Sequence, residues 1–418
     1  MSSLKSISSL RAYKGTAKEI HITEFGQEGF FYPYSGPQKV DGFIVLKDAA
    51  GRIWKRSYDR LKNGFFEIKG DGKVDDTINI FKATDYCIEN QETIVFDNGV
   101  FRYTQPWING GLSINAADSL KYEAYNQDAP SYTGTGIQNG TRPYGIQGSQ
   151  RTIFWADFPT TELTPALHYG MWGNSWDQSS TICEVGNFIL CSQDGGVWED
   201  GMFKLKNKVC DNKQVGLLIQ RSEGMVSFRG IHFHGFDWDL IVNSSHFHDI
   251  SNIKFTNSQH GLFTLGAHST TGSNMVAFKC GVAYEIKSGA SVFNQLNTEE
   301  CEQALIVGGG HNIINGAYFE KSDINTDPDK FQLQIGYNDN TYPVRGTVIN
   351  GMTIAAPNGG GVLLNKTARE VTINGSMFVS AGTKLTAEQN TLFIENSYTD
   401  TPRGMPGKIF KDGNLISE

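Results

Sequence analysis

IHFHG, residues 231–235, has four near-copies downstream: IKFTN at 253–257, VAFKC at 276–280, LNTEE at 296–300 and AYFEK at 317–321, at intervals of 22, 23, 20 and 21 residues. A period of this length marks a solenoid, in which each repeat is too small to bury its apolar face alone and stacks on its neighbour. Within each copy the residues alternate as in a strand with one face buried. Ile231, Ile253, Val276, Leu296 and Ala317 are assigned to one inward column, and Phe233, Phe255, Phe278, Thr298 and Phe319 to a second. A further apolar step follows in each turn, at DLIV, GLFTL, AYEI and ALIV. The reading is an all-β chain wound as a parallel β-helix of about 20–23 residues per turn.

Working outward, residues 1–66 contain short alternating strands separated by Gly, Pro and Asp, which predicts a small N-terminal β cap or neck. In GDGKVDDTINIFKATDYC, residues 70–87, Asp75 or Asp76 is placed to cap a helix that turns Ile78, Ile80, Phe81, Cys87 and Ile88 to one side. ETIVFDNGVFRY then reads as strand, turn, strand. The coil is assigned to residues 67–395, with long loops at 117–215, and an end segment to 396–418.

The stretch 70–87, followed by TIVFDNGVFRY, resembles the opening of the pectate-lyase-like superfamily of right-handed parallel β-helices. ISSLRAYKG and GRIWKRSYD ahead of it are similar to the necks of bacteriophage tailspikes and capsule depolymerases. The resemblance implies a right-handed coil, a homotrimer, attachment to a phage tail or baseplate through the N-terminal region, and action outside the host cell as part of a virion. It also implies binding of a bacterial surface polysaccharide.

Bulk properties narrow the partners. The net charge of -8 and the lack of any Lys/Arg cluster argue against nucleic acid. No apolar run approaches the ~20 residues of a membrane span. The start, MSSLKSISSLRAYKG, lacks the apolar core of a signal peptide, so export by that route is not expected. The six cysteines show no paired spacing and are read as free thiols. No metal site and no cofactor is expected.

The candidate chemistry lies on the outward positions. In the register above, Glu299 and Glu320 share an outward column on adjacent turns, with Lys279 one turn away. Neighbouring strands lie about 4.8 Å apart, near the ~5–5.5 Å between the carboxyls of a retaining glycosidase. The same column equally suits a solvated Glu/Lys ladder. HFHGFDWD offers Asp237 and Asp239 around Trp238, with His234 on the preceding strand. Trp172, Trp176 and Trp198 lie among Gly, Asn and Asp in the loop-rich stretch and suit sugar contacts. The functional expectation is depolymerisation of a capsule or O-antigen by glycosidic hydrolysis, with Glu299 and Glu320 first and Asp237 and Asp239 in reserve. Two rivals stay open: a lyase using Lys254, Lys279 and His234 against a uronate, and a spike or adhesin that binds glycan without cutting it.

Overall fold

The computed structural model describes the chain apart from residues 109–120, 126–128, 134–143, 171–182, 209–210, 212, 221–225, 244, 247, 321–330, 338–342, 356–359, 380–382, 388–389, 396–397, 400–401, 404–407, 413 and 418. From residue 61 onward, strand after strand pairs in parallel with the segment one turn later. The result is a right-handed parallel β-helix with three faces. Segments 226–229, 249–251, 271–273 and 292–294 stack as the first face; 231–234, 253–256, 275–278 and 296–299 stack as the second. Trp238–Asn243, His260–His268, Val282–Gly289, Gln303–Val307 and Phe331–Ile335 stack as the third.

The first two faces come from single strands that bend. Val226–His234, Asp249–Thr256, Thr271–Phe278 and Val292–Glu299 each run through a left-handed residue, respectively Gly230, Asn252, Asn274 and Gln295. In later turns the same position is Gly316, Gly351 and Gly375. Glycine and asparagine enter this conformation at least cost, so the corner is written into the sequence as a column of permissive residues. A second left-handed column, Gly235, Asn257, Lys279 and Glu300, makes the corner between the second and third faces, with permissive residues only in its first two rungs.

The interior is one continuous apolar cluster from Phe43 to Ile409. Phe233 and Phe255 stack within it at 5.6 Å, and Phe228, Phe293 and Phe319 are fully buried. One rung departs from the sequence register. Ile253 pairs with Met275 and Met275 with Leu296, so Met275 and Ala277 point inward while Val276 and Phe278 point out. Met275-Val276-Ala277-Phe278 is apolar throughout, so both alternations fit it, and a slip of one residue exchanges the two faces. The corrected register also aligns Cys280 with Cys301, whose Sγ accepts the Cys280 amide at 3.4 Å. Cys87, Cys183, Cys191, Cys280 and Cys301 are free and buried, and Cys210 lies outside the described residues.

Residues ahead of the coil form a five-stranded sheet built from Ser2–Leu4, Ile20–Ile22, Gly29–Pro33, Val45–Lys47 and Ile53–Ser57. Its separate core joins Ile20, Ile22, Phe31, Leu46 and Trp54 to Ile7 and Leu10 of helix α1, Ile7–Arg11. Helix α2, Thr77–Asn90, covers the open end of the coil with Ile80, Phe81 and Cys87. Ile78, placed on the apolar side by its sequence, is 48% exposed, and Thr84 and Tyr86 are buried instead. Asp76 holds the cap position, but its carboxylate accepts the amides of Lys69 and Gly70 at 2.8 and 3.0 Å and fastens the preceding loop. Asp75 receives the Thr77 amide at 3.0 Å. Among the described residues no helix is long and apolar enough to cross a membrane.

Candidate functional site

Glu299 and Glu320 are register partners on adjacent rungs at the edge of the second face. Both side chains point outward because they follow the inward Thr298 and Phe319 by one residue. Glu299 is exposed and Glu320 half-buried. Tyr318, two residues before Glu320, donates its hydroxyl to Glu320 Oε2 at 2.8 Å, and this bond to the carboxylate raises the phenol's pKa. The bond fixes the direction of the Glu320 carboxylate.

Lys279 is not in this column. The corrected register puts Phe278 beside Glu299, while Lys279 occupies the left-handed corner and pairs with Glu300, the next residue of that corner column, at 3.4 Å. The mixed column expected from the sequence is therefore two columns, one carrying the paired glutamates and one carrying the ion pair.

The other candidates are dispersed. Asp239 is fully buried; its Oδ1 accepts from Ser258 Oγ at 2.7 Å, its Oδ2 has no partner among the described residues, and burial raises its pKa well above the ordinary range. A carboxyl enclosed in this way cannot meet a polymer. Asp237 is half-buried with Lys213 at 3.8 Å; burial raises its pKa and Lys213 works against the rise. Trp238 lies flat on His260, with ring centroids 3.8 Å apart and planes 6° apart, and stands edge-on to Phe263 at 5.0 Å. One face of the indole is thus occupied within the chain.

His234 is buried with both nitrogens engaged. Nε2 donates to the Lys206 carbonyl at 2.8 Å, so Nδ1 accepts from Thr256 Oγ1 at 2.7 Å, and His232 Nε2 donates to the same hydroxyl at 2.8 Å. Burial depresses both imidazoles, His232 to about 3. The His234 ring thereby ties Lys206, just beyond the 196–205 hairpin, to the coil. Trp198 belongs to that hairpin, formed by Gly196–Glu199 and Met202–Leu205. Its ring covers Gly72, where an added Cβ would come within 2.5 Å of it, and lies 5.4 Å from Lys73 Nζ. Trp172 and Trp176 lie outside the described residues. No cluster of three metal-ligating side chains occurs among the described residues.

Sequence reasoning passed over a group on the third face. Glu285 and Lys287 project from the outward side of Val282–Gly289, and Tyr337 reaches back across the intervening rung to join them. The available signal was a lone acid inside an apolar step, AYEI, at the outward position.

Stacked parallel rungs, three faces and an N-terminal helix define the class, a right-handed parallel β-helix of the kind found in phage tailspikes. Among solved structures, the tailspike protein of Acinetobacter baumannii phage AM24 is similar over 98% of this chain and 65% of its own, at 14% identity and a TM-score of 0.59. The enzymatically active domain of bacteriophage CBA120 tailspike protein 2 is similar over 97% and 53%, at 13% identity and 0.57. The tailspike of Acinetobacter baumannii bacteriophage Fri1, a capsular polysaccharide depolymerase, is similar over 96% and 76%, at 11% identity and 0.53. The chain spans about half to two thirds of the length of the first two. No family model matches the sequence, and no curated protein matches it.

Proposed function

We propose that the chain is a tailspike-like protein that binds a bacterial surface polysaccharide, capsule or O-antigen, and hydrolyses its glycosidic bonds. The observation that carries the reading is the in-register pair Glu299 and Glu320 on an exposed face of a coil shared with tailspikes. One rung separates them, about 4.8 Å of backbone, which suits double displacement with retention at ~5–5.5 Å. Glu299 takes the acid role at the leaving oxygen. Glu320, oriented by the Tyr318 hydroxyl, takes the role of nucleophile, and Glu299 then activates the water that releases the product. Such a protein acts outside the host cell as part of a virion, with the N-terminal sheet as its attachment end.

A homotrimer belongs to the same reading. Light scattering would then return three times the chain mass.

One observation favours a binding-only spike as the second reading. The Streptococcus pneumoniae surface adhesin PfbA is similar over 84% of this chain and 89% of its own, at 10% identity and a TM-score of 0.50. The discriminating experiment follows polymer size by light scattering on a panel of purified capsular and O-antigen polysaccharides, with wild type and Glu299→Gln/Glu320→Gln. Shortening by wild type with retained binding but no shortening by the variant supports hydrolysis at this pair. Polymer that stays long while co-eluting with wild type supports the binding spike.

A further inference from the structure

We propose that the outward side of the third face, from Trp238 to Tyr337, is a second saccharide-binding subsite that takes a neutral or N-acetylated sugar residue at Glu285; this rests on the polysaccharide reading above. Glu285 Oε1 receives both Tyr337 Oη at 3.0 Å and Lys287 Nζ at 3.2 Å. Its Oε2 has no donor among the described residues and is not sealed from solvent. The carboxylate is therefore fixed in direction by two donors on one oxygen and offers the other to a ligand hydroxyl or amide N–H.

The surroundings are built for this pose. Lys287 Nζ sits 5.0 Å from the Tyr337 ring centre and 5.3 Å from that of Phe263. Tyr337 covers Gly308, where an added Cβ would come within 2.4 Å of the ring, so the glycine is what lets the phenol lie low over the rung. The Glu285 and Lys287 side chains are only 11% and 15% exposed. A nearly buried ion pair is weak evidence for stability, because desolvation offsets most of the attraction. This one joins two residues of a single strand on the outward side of the coil, where only Tyr337 links it to another rung, so a recognition role accounts for its placement.

Charge selects the ligand class. Along the strip acids and bases alternate as Asp237 with Lys213 and Glu285 with Lys287, so each cation already has a carboxylate beside it. A uronate would meet repulsion from Glu285, whereas hydroxyls and N-acetyl groups find an acceptor. Trp238 and Tyr337 have ring faces engaged by His260 and Lys287, so they border the sugar as apolar walls. Four rung steps separate the Trp238 strand from Phe331–Ile335, about 19 Å at the parallel spacing. That length accommodates several linked sugar residues, across the corner from Glu299 and Glu320.

Hydroxyl-radical footprinting of the unmodified protein, with and without each polysaccharide of the panel, reads both faces at once by mass spectrometry. Protection of Trp238, His260 and Tyr337 together with Tyr318 is the expected result. Protection of Tyr318 alone overturns this subsite and leaves the function standing. Protection at neither place with every polymer overturns both. In a binding titration with a neutral polymer from the panel, Glu285→Gln is expected to weaken affinity about tenfold or more, and Tyr337→Phe, which keeps the ring, to weaken it in the same direction. Unchanged affinity in both variants contradicts the proposal.

Discussion

The second and third faces meet at one corner, yet their outward sides are built in opposite ways. On the second face the outward residues of the rungs from Val276 to Glu320 are open: Val276 is 37% and Tyr318 43% exposed, and Glu299 stands in solvent beside Glu320. On the third face they are enclosed: Val215, Leu218, Ile241 and Phe263 are fully buried in a cluster of their own, and Glu285 is nearly so. The same strand geometry therefore yields one side where carboxylates can meet a long chain freely and another where charge is fixed before any ligand arrives. Open carboxylates suit reaction with a polymer that must enter and leave; a clamped carboxylate suits recognition, since its orientation carries no further entropy on binding.

The sharpest way to break this contrast is at the glutamates. Glu299→Gln and Glu320→Gln are each expected to lower the rate of polymer shortening by roughly 10²–10⁴-fold without altering thermal unfolding, whereas Asp239→Asn leaves the rate unchanged. Stability separates the faces next. Phe263→Ala, on the enclosed side, is expected to destabilise by about 3–5 kcal/mol, and Val276→Ala, on the open side, by no more than about 0.5 kcal/mol; denaturant titration reads both.

Acid sharpens it further. His232 and His234 on the second face and His260 on the third are held neutral by burial, with His232 near 3 and His260 near 4. A base whose folded pKa is lowered contributes stability that is fully present above the unfolded value of about 6.5 and lost as pH falls toward the folded one. The melting temperature is therefore expected to fall as pH is lowered from about 6.5, and His232→Gln/His234→Gln should flatten that slope. The smallest effect belongs to Lys279→Met. It removes a partly exposed pair worth at most about 1 kcal/mol and, being off the Glu299/Glu320 column, should leave polymer cleavage unchanged.

How much of this the sequence carried depends on the residue pattern. Where apolar and polar residues alternate cleanly, as at Ile231-His232-Phe233-His234 or Ala317-Tyr318-Phe319-Glu320, the inward column and the pairing of Glu299 with Glu320 could be read directly. The Met275–Phe278 run could not, because an apolar residue at every position satisfies both registers. Its misreading moved Lys279 into the glutamate column. Asp239 was misjudged for another reason: it looks like a polar surface residue after Trp238, but the bend beyond Gly235 turns it inward against Ser258. The Glu285, Lys287 and Tyr337 group joins residues about fifty apart, and only the stacking of rungs brings them together.

The central claim is that two carboxylates one rung apart perform double displacement. Proton NMR of the first-formed reducing ends, recorded before mutarotation on a polysaccharide that the protein shortens, tests it most directly. Retained anomeric configuration is the expected result. An inverted anomer, or an unsaturated uronide in place of a new reducing sugar, would contradict the assignment of Glu299 and Glu320.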